Sequence, residues 1–193
     1  MAQVNGYVPV LHQTFDQWIQ NTRGNGYNVD FSAGNQCWDY CALLYWQYML
    51  NLVTKPGGGV AKECWTRSRE ANSKRPFISI EGVENIKRGD IIVLDSATPG
   101  GTGHICFADE NYRTLGNRNL LWTWGQTPSM HGINGVVSRD ELIITRFLGI
   151  FRNTLWDSTP GPGPGPEPEP SGAISKKDKF PWPVAWYNWS SFM

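Results

Sequence analysis

Cys37 stands where a polar, glycine-containing loop, Asn28-Val29-Asp30-Phe31-Ser32-Ala33-Gly34-Asn35-Gln36, meets a stretch of helical periodicity. At a helix start the first main-chain N–H groups lack intrahelical partners, and the helix dipole places partial positive charge beside the side chain. That environment lowers a thiol pKa and favours the nucleophilic thiolate. Cys37 is therefore a candidate nucleophile, with Gln36 as its neighbour across the turn. A buried structural cysteine is the competing reading, and the commoner fate of a free Cys. A thiolate nucleophile needs a base, usually His, within hydrogen-bond reach. The chain has His12, His104 and His131. His104 follows the loop Pro99-Gly100-Gly101-Thr102-Gly103 and opens an apolar strand pattern, a rigid position with room above it. Zinc is another use of these residues, with Cys37, Cys41, His104 and Cys106 as ligands. The spacing opposes it: Cys37 and Cys41 fall in one helix, and His104 and Cys106 are two apart on a strand, unlike the tight pairs of structural zinc sites.

The loop before the cysteine offers oxygens at alternate positions, Asn28, Asp30 and Ser32, and Asp39 follows just after it. Hard cations such as Ca²⁺ take such a mixture of carboxylate, amide and backbone oxygens. Asx and Ser turns capping the next helix account for the same residues. Spacing alone favours the turns.

These groups need elements to hold them. Residues 1–13 are mixed and read as a loosely packed arm. Thr14–Asn21 predicts a short helix, with Thr14 as N-cap, Gln17 completing a capping box, and Phe15, Trp18 and Ile19 on one apolar face. Gln36 to about Val53 predicts a second helix: Cys41, Leu44, Tyr45, Tyr48 and Leu52 share a face, and Lys55-Pro56-Gly57 stops it. A short helix over 61–71 turns Cys64 and Trp65 inward. Strands follow: an edge segment at Phe77–Ile80, a buried β-branched run at Ile91–Leu94, His104–Asp109, Asn119–Trp124, and a last strand at Leu142–Phe151. Helices first, then antiparallel strands, argues an α+β fold with N-terminal helices packed on an antiparallel sheet.

The chain has 193 residues, enough for one domain of ordinary size with a real core, placed here at 1–156. Pro160–Pro170 alternates Pro with Gly and Glu and marks a linker at 157–172. An aromatic-rich tail at 173–193 is too short for its own core and reads as a docking segment or the start of something longer. Formal net charge is zero, so no nucleic-acid partner is expected. No apolar run approaches a membrane span, and the N-terminus lacks a signal-peptide pattern. Four cysteines in a chain of this size need no disulfides, which suits synthesis in a reducing cytoplasm, and a monomer is expected.

Gly34-x-Gln36-Cys37-x-Asp39, then Arg88-Gly89-Asp90-Ile91-Ile92-Val93, then Gly103-His104-Ile105, resembles a CHAP domain, the cysteine/histidine-dependent amidohydrolase/peptidase of phage endolysins and bacterial wall hydrolases. The match runs in order over about residues 12–153. The resemblance implies a papain-like (NlpC/P60-type) fold and peptidoglycan as substrate. It implies that Cys37 attacks a wall-peptide carbonyl, that His104 takes the thiol proton and later protonates the leaving amine, and that the Cys37 N–H with Gln36 stabilises the oxyanion. Some phage members bind Ca²⁺ in the loop before the cysteine. The matching positions are Asn28, Asp30, Ser32, Gly34 and Asp39, and the resemblance tips the reading of this loop toward Ca²⁺.

The chain departs from the family in two places. Where members carry a carboxylate to orient the imidazole, it has Trp122-Thr123-Trp124-Gly125-Gln126-Thr127. Gln126 is the orienting candidate, with Asp109 as fallback, although Asp109 should point to the opposite face of its strand. Asn28 stands where a carboxylate is frequent, which weakens metal affinity. The expected activity is amidase or endopeptidase cleavage of Gram-positive wall peptide, by an endolysin released through a holin or by a virion-associated lysin. The alternatives are a wall-binding or virion structural module on a degenerate CHAP fold, and a papain-like protease acting on proteins.

Overall fold

The computed structural model describes residues 4, 6–8, 10, 13–32, 34–55, 57–113, 119–126 and 135–156. The expected linker and tail, His12 and His131 lie outside these residues. The elements are α1 (Phe15–Thr22), α2 (Cys37–Gln47), α3 (Glu63–Thr66), α4 (Arg69–Asn72), β1 (Phe77–Ile80), a 3-10 turn (Val83–Asn85), β2 (Ile91–Leu94), β3 (His104–Ala108), β4 (Leu120–Gly125), β5 (Ser138–Ile143) and β6 (Phe147–Asn153). The strands form one antiparallel sheet in the order β1-β6-β2-β3-β4-β5. The fold is α+β, as the order of elements in the sequence implies.

α1 forms where its capping box predicts. The Thr14 N–H donates to Gln17 Oε1 and the Gln17 N–H to Thr14 Oγ1, so two donors at the helix start are satisfied reciprocally. Its apolar face buries Phe15, Trp18 and Ile19. These side chains join Tyr40, Leu44 and Tyr45 of α2 against Ile91, Val93, Ile105, Phe107 and Phe151, on one face of the sheet. Tyr40 meets Phe107 edge-on at 5.0 Å, and Tyr45 stacks on Phe77 at 4.0 Å. The opposite face buries Ile92, Leu94, Cys106, Ala108, Leu121, Leu142 and Ile150. β2 is therefore buried on both faces, which explains its unbroken apolar run. Each such side chain contributes about 1.5–3 kcal/mol on burial.

The structure corrects the sequence reading at four places. α2 ends at Gln47, not near Val53. Met49 adopts φ +57°, and the N–H groups of Tyr48 and Leu50 both turn back to the Tyr45 carbonyl. The main chain of Val53 is satisfied elsewhere: its N–H donates to Asn72 Oδ1, and its carbonyl accepts from Asn72 Nδ2. The helix expected over 61–71 is two four-residue turns, α3 and α4. The last strand is two strands, because Arg146 at φ +51° breaks the chain direction and β6 enters the sheet between β1 and β2. The N-terminal arm is packed in part: Val4, Tyr7 and Gln13 are buried, while Gly6, Val8 and Val10 are exposed. Tyr7 is buried, donates to Gln47 Oε1 at 2.6 Å, and accepts from Gln13 Nε2 at 2.8 Å.

Candidate active site

The start of α2 is held by a carboxylate on its own first turn. Asp39 is 1 % exposed, and its two oxygens accept from the N–H groups of Gln36, at 2.9 Å, and Val29, at 2.8 Å. Burial pushes the Asp39 carboxyl above its usual range, and the two N–H donors oppose that. The bonds fold the preceding loop back onto the helix end. Within the loop the Ser32 N–H donates to both Asn28 Oδ1, at 3.1 Å, and Asp30 Oδ1, at 2.8 Å. Asp30, Ser32 and Gly34 are exposed, and Asn28 is half-buried. The side-chain oxygens of Asn28, Asp30 and Asp39, three of the positions expected at a metal, are turned to N–H groups of the loop.

Cys37 is the first residue of α2 and half-buried, with Gln36 exposed beside it at the N-cap. The chain's other three cysteines are buried, and none of the four is in a disulfide. Burial pushes the thiols of Cys41, Cys64 and Cys106 well up, and charge on Cys37 pushes each further the same way. α2 packs against β3, the strand that His104 opens. Among the described residues no group of three or more His, Cys, Asp or Glu could hold a metal ion, so the residues counted for zinc make no such site. With the other thiols kept protonated by burial, native protein treated with iodoacetamide near neutral pH should gain a single label, on Cys37. Peptide mass spectrometry checks this, with the buried thiols labelled only after denaturation. Labelling of Cys64 or Cys106 at a comparable rate would contradict the burial described.

His104 begins β3 opposite Leu94 and is 4 % exposed. The glycine before it is obligatory. Gly103 has φ +71°, and a Cβ there would lie 2.4 Å from the Leu94 carbonyl oxygen and 2.7 Å from Lys62 Cβ. The Lys62 N–H donates to the Thr102 carbonyl, and Lys62 Nζ pairs with Asp95 at 3.1 Å. The chain entering His104 is thereby pressed against the segment leading into α3.

β4 runs antiparallel to β3, so Gln126, which follows β4, sits at the end of the sheet where β3 starts. Gln126 has no exposed surface. Its Oε1 accepts from the Tyr27 N–H at 2.8 Å, and its Nε2 donates to the Tyr27 carbonyl at 2.6 Å and the Gln36 carbonyl at 3.0 Å. These contacts to Tyr27 and Gln36 were not legible in the sequence, since 99 residues separate Gln126 from Tyr27. Asp109, the fallback partner for the imidazole, is paired with Arg139 at 2.6 Å and Arg88 at 3.4 Å. Asp90, part of the Arg-Gly-Asp block, forms a buried pair with Arg152: Nε reaches Oδ1 and the terminal nitrogen reaches Oδ2, each at 2.8 Å. Its place in that block was the one signal that it mattered.

The architecture is one seen in a lysin. The solved wild type endolysin LysIME-EF1 superimposes with a TM-score of 0.53 and 17% identity, over 72% of this chain and 62% of that one. At the level of sequence the chain is similar to the D-alanyl-L-alanine endopeptidase of Streptococcus phage B30, at 30% identity over 105 residues. That stretch is 51% of this chain and 22% of the relative, so the chain spans about a fifth of that protein's length. No family model matches the chain. No helix among the described residues is long and apolar enough to cross a membrane.

Proposed function

We propose that this chain is a peptidoglycan hydrolase of the CHAP type, endolysin-like, with a papain-like (NlpC/P60-type) fold. It cleaves an amide bond in Gram-positive wall peptide with Cys37 as nucleophile. The observation that carries this reading is the half-buried Cys37 at the first position of α2, a helix that packs against β3, the strand beginning with His104. The phage relative's name makes a D-alanyl–L-alanyl amide the first bond to test.

On this reading His104 accepts the Cys37 proton, and the thiolate sulfur attacks the amide carbon. The oxyanion is held by the Cys37 N–H, which no intrahelical bond claims, and by the Gln36 side chain. The tetrahedral species collapses, the imidazolium gives its proton to the leaving amine, and a thioester on Cys37 remains. Water, deprotonated by His104, attacks the thioester and releases the acid and the thiol. Gln126 is a positioning residue: its Oε1 accepts from the Tyr27 N–H, and its Nε2 donates to the Gln36 carbonyl beside the nucleophile.

The donor set before the cysteine is all oxygen, which suits Ca²⁺. Asn28, Asp30 and Asp39, with backbone oxygens at Ser32 and Gly34, would hold it. Bound Ca²⁺ would tie the loop to the helix start and supply no group to the bond-breaking step. Asn28 in place of a carboxylate lowers the charge of the set and predicts weak affinity. Ca²⁺ in hundredfold excess over its Kd should stabilise the fold by about 2.7 kcal/mol. Thermal denaturation should show this in wild type and not in Asp30→Ala; equal melting temperatures with Ca²⁺ and with EDTA would remove the ion from the reading.

Turbidity loss of purified Gram-positive walls, with release of new amino termini, tests the activity itself. Clearing with amine release is expected. Binding to walls without amine release would move the chain to the binding-module alternative, and hydrolysis of casein but not walls would make it a protease.

A further inference from the structure

We infer that Gln126 aligns the oxyanion-binding N–H of Cys37 by holding the Gln36–Cys37 peptide from the sheet side. This rests on the reading of Cys37 as nucleophile, and it places Gln126 at the oxyanion donor and not at the imidazole.

The peptide joining Gln36 to Cys37 is planar and trans, so the Gln36 carbonyl and the Cys37 N–H point in opposite directions. Fixing one fixes the other. As the N-cap carbonyl, Gln36 C=O heads the hydrogen-bond ladder of α2, which approaches along the helix axis. The Gln126 amide is a further donor, 3.0 Å away, from a residue with no exposed surface. It draws the carbonyl toward the core, so the Cys37 N–H, on the opposite edge of the same peptide, is turned away from Gln126. The other face of the same residue is also tied, since the Gln36 N–H donates to Asp39. Gln126 is itself immobilised by its paired bonds to both main-chain groups of Tyr27. The geometry around Cys37 thus depends on a side chain that the sequence places far away, at the end of β4.

Hydrolysis needs the oxyanion donor, whereas alkylation of the thiolate does not. Gln126→Glu keeps the acceptor to the Tyr27 N–H and removes the donor to Gln36. Misaligning an oxyanion donor lowers the hydrolytic rate by about 10²-fold. In the full chain, Gln126→Glu should therefore lose about that factor in kcat for wall hydrolysis. Its plateau rate of iodoacetamide labelling at Cys37, followed across pH, should stay within about twofold of wild type. Gln126→Asn, uncharged and one methylene short, should show the same split, and it serves if the buried Glu prevents folding. Parallel loss of hydrolysis and labelling in the folded variants would overturn the inference, because Gln126 would then act through the thiolate and imidazole. Unchanged hydrolysis would overturn it too. Wild type that labels at Cys37 but neither clears walls nor releases amines would instead remove the hydrolase reading on which the inference rests.

Discussion

Cys37→Ala should abolish wall clearing while leaving the fold in place. Removing the nucleophile of a hydrolase whose attacking group and base act as a unit costs a factor of about 10⁴–10⁶ in kcat. The fold should tolerate the change, because Cys37 is half-buried at a helix start and the large core side chains lie elsewhere. Alanine is also a good helix former. The circular dichroism spectrum and melting temperature should match wild type, and the single native iodoacetamide label should vanish. His104→Ala should resemble it in hydrolysis, since a thiol without its base is a poor nucleophile. Residual clearing by Cys37→Ala above about one part in 10³ of wild type would exclude Cys37 as the nucleophile.

Asp90→Ala should be the most damaging substitution outside the site. The side chain of Asp90 is 2 % exposed and that of Arg152 is 11 % exposed, and the two form a bidentate pair. Asp90 Oδ2 also accepts from the Lys87 N–H at 2.7 Å, and Arg152 donates to the Asn85 carbonyl at 2.6 Å. Truncating the carboxylate leaves a nearly buried guanidinium and a main-chain donor without their partner. Breaking a buried pair by removing one member costs about 3–5 kcal/mol. For a chain of this size that lowers Tm by on the order of 10 °C. The loss should be smaller in the double variant Asp90→Leu with Arg152→Met, because replacing both charges leaves no uncompensated ion. Denaturant unfolding measures both. A loss under about 1 kcal/mol in Asp90→Ala would show that solvent screens the pair. The pair ties the turn before β2 to β6, so Asp90 serves the sheet that carries His104 without itself taking part in the chemistry.

The legible parts of this protein are those set by neighbours in the chain. The α1 capping box, the two-faced burial of β2 and the helix beginning at Cys37 each follow from residues within a few positions, where propensity and capping operate. The candidate nucleophile and base were visible for the same reason, since a cysteine at a helix start and a histidine after a Gly-rich loop are local patterns. The ends of elements were less legible. α2 stops at Gln47 although no Gly or Pro stands there, because Met49 takes φ +57° and the Leu50 N–H turns back to the Tyr45 carbonyl. β5 and β6 separate at Arg146, a residue type that gives no warning of a left-handed turn. The partners of Gln126 and the pairing of Asp90 with Arg152 needed the sheet itself to bring distant segments together. Residue types and short spacings determined which groups are available for chemistry. Only long-range packing decided which buried hydrogen bonds hold them in place, because each of those bonds joins segments that no local rule connects.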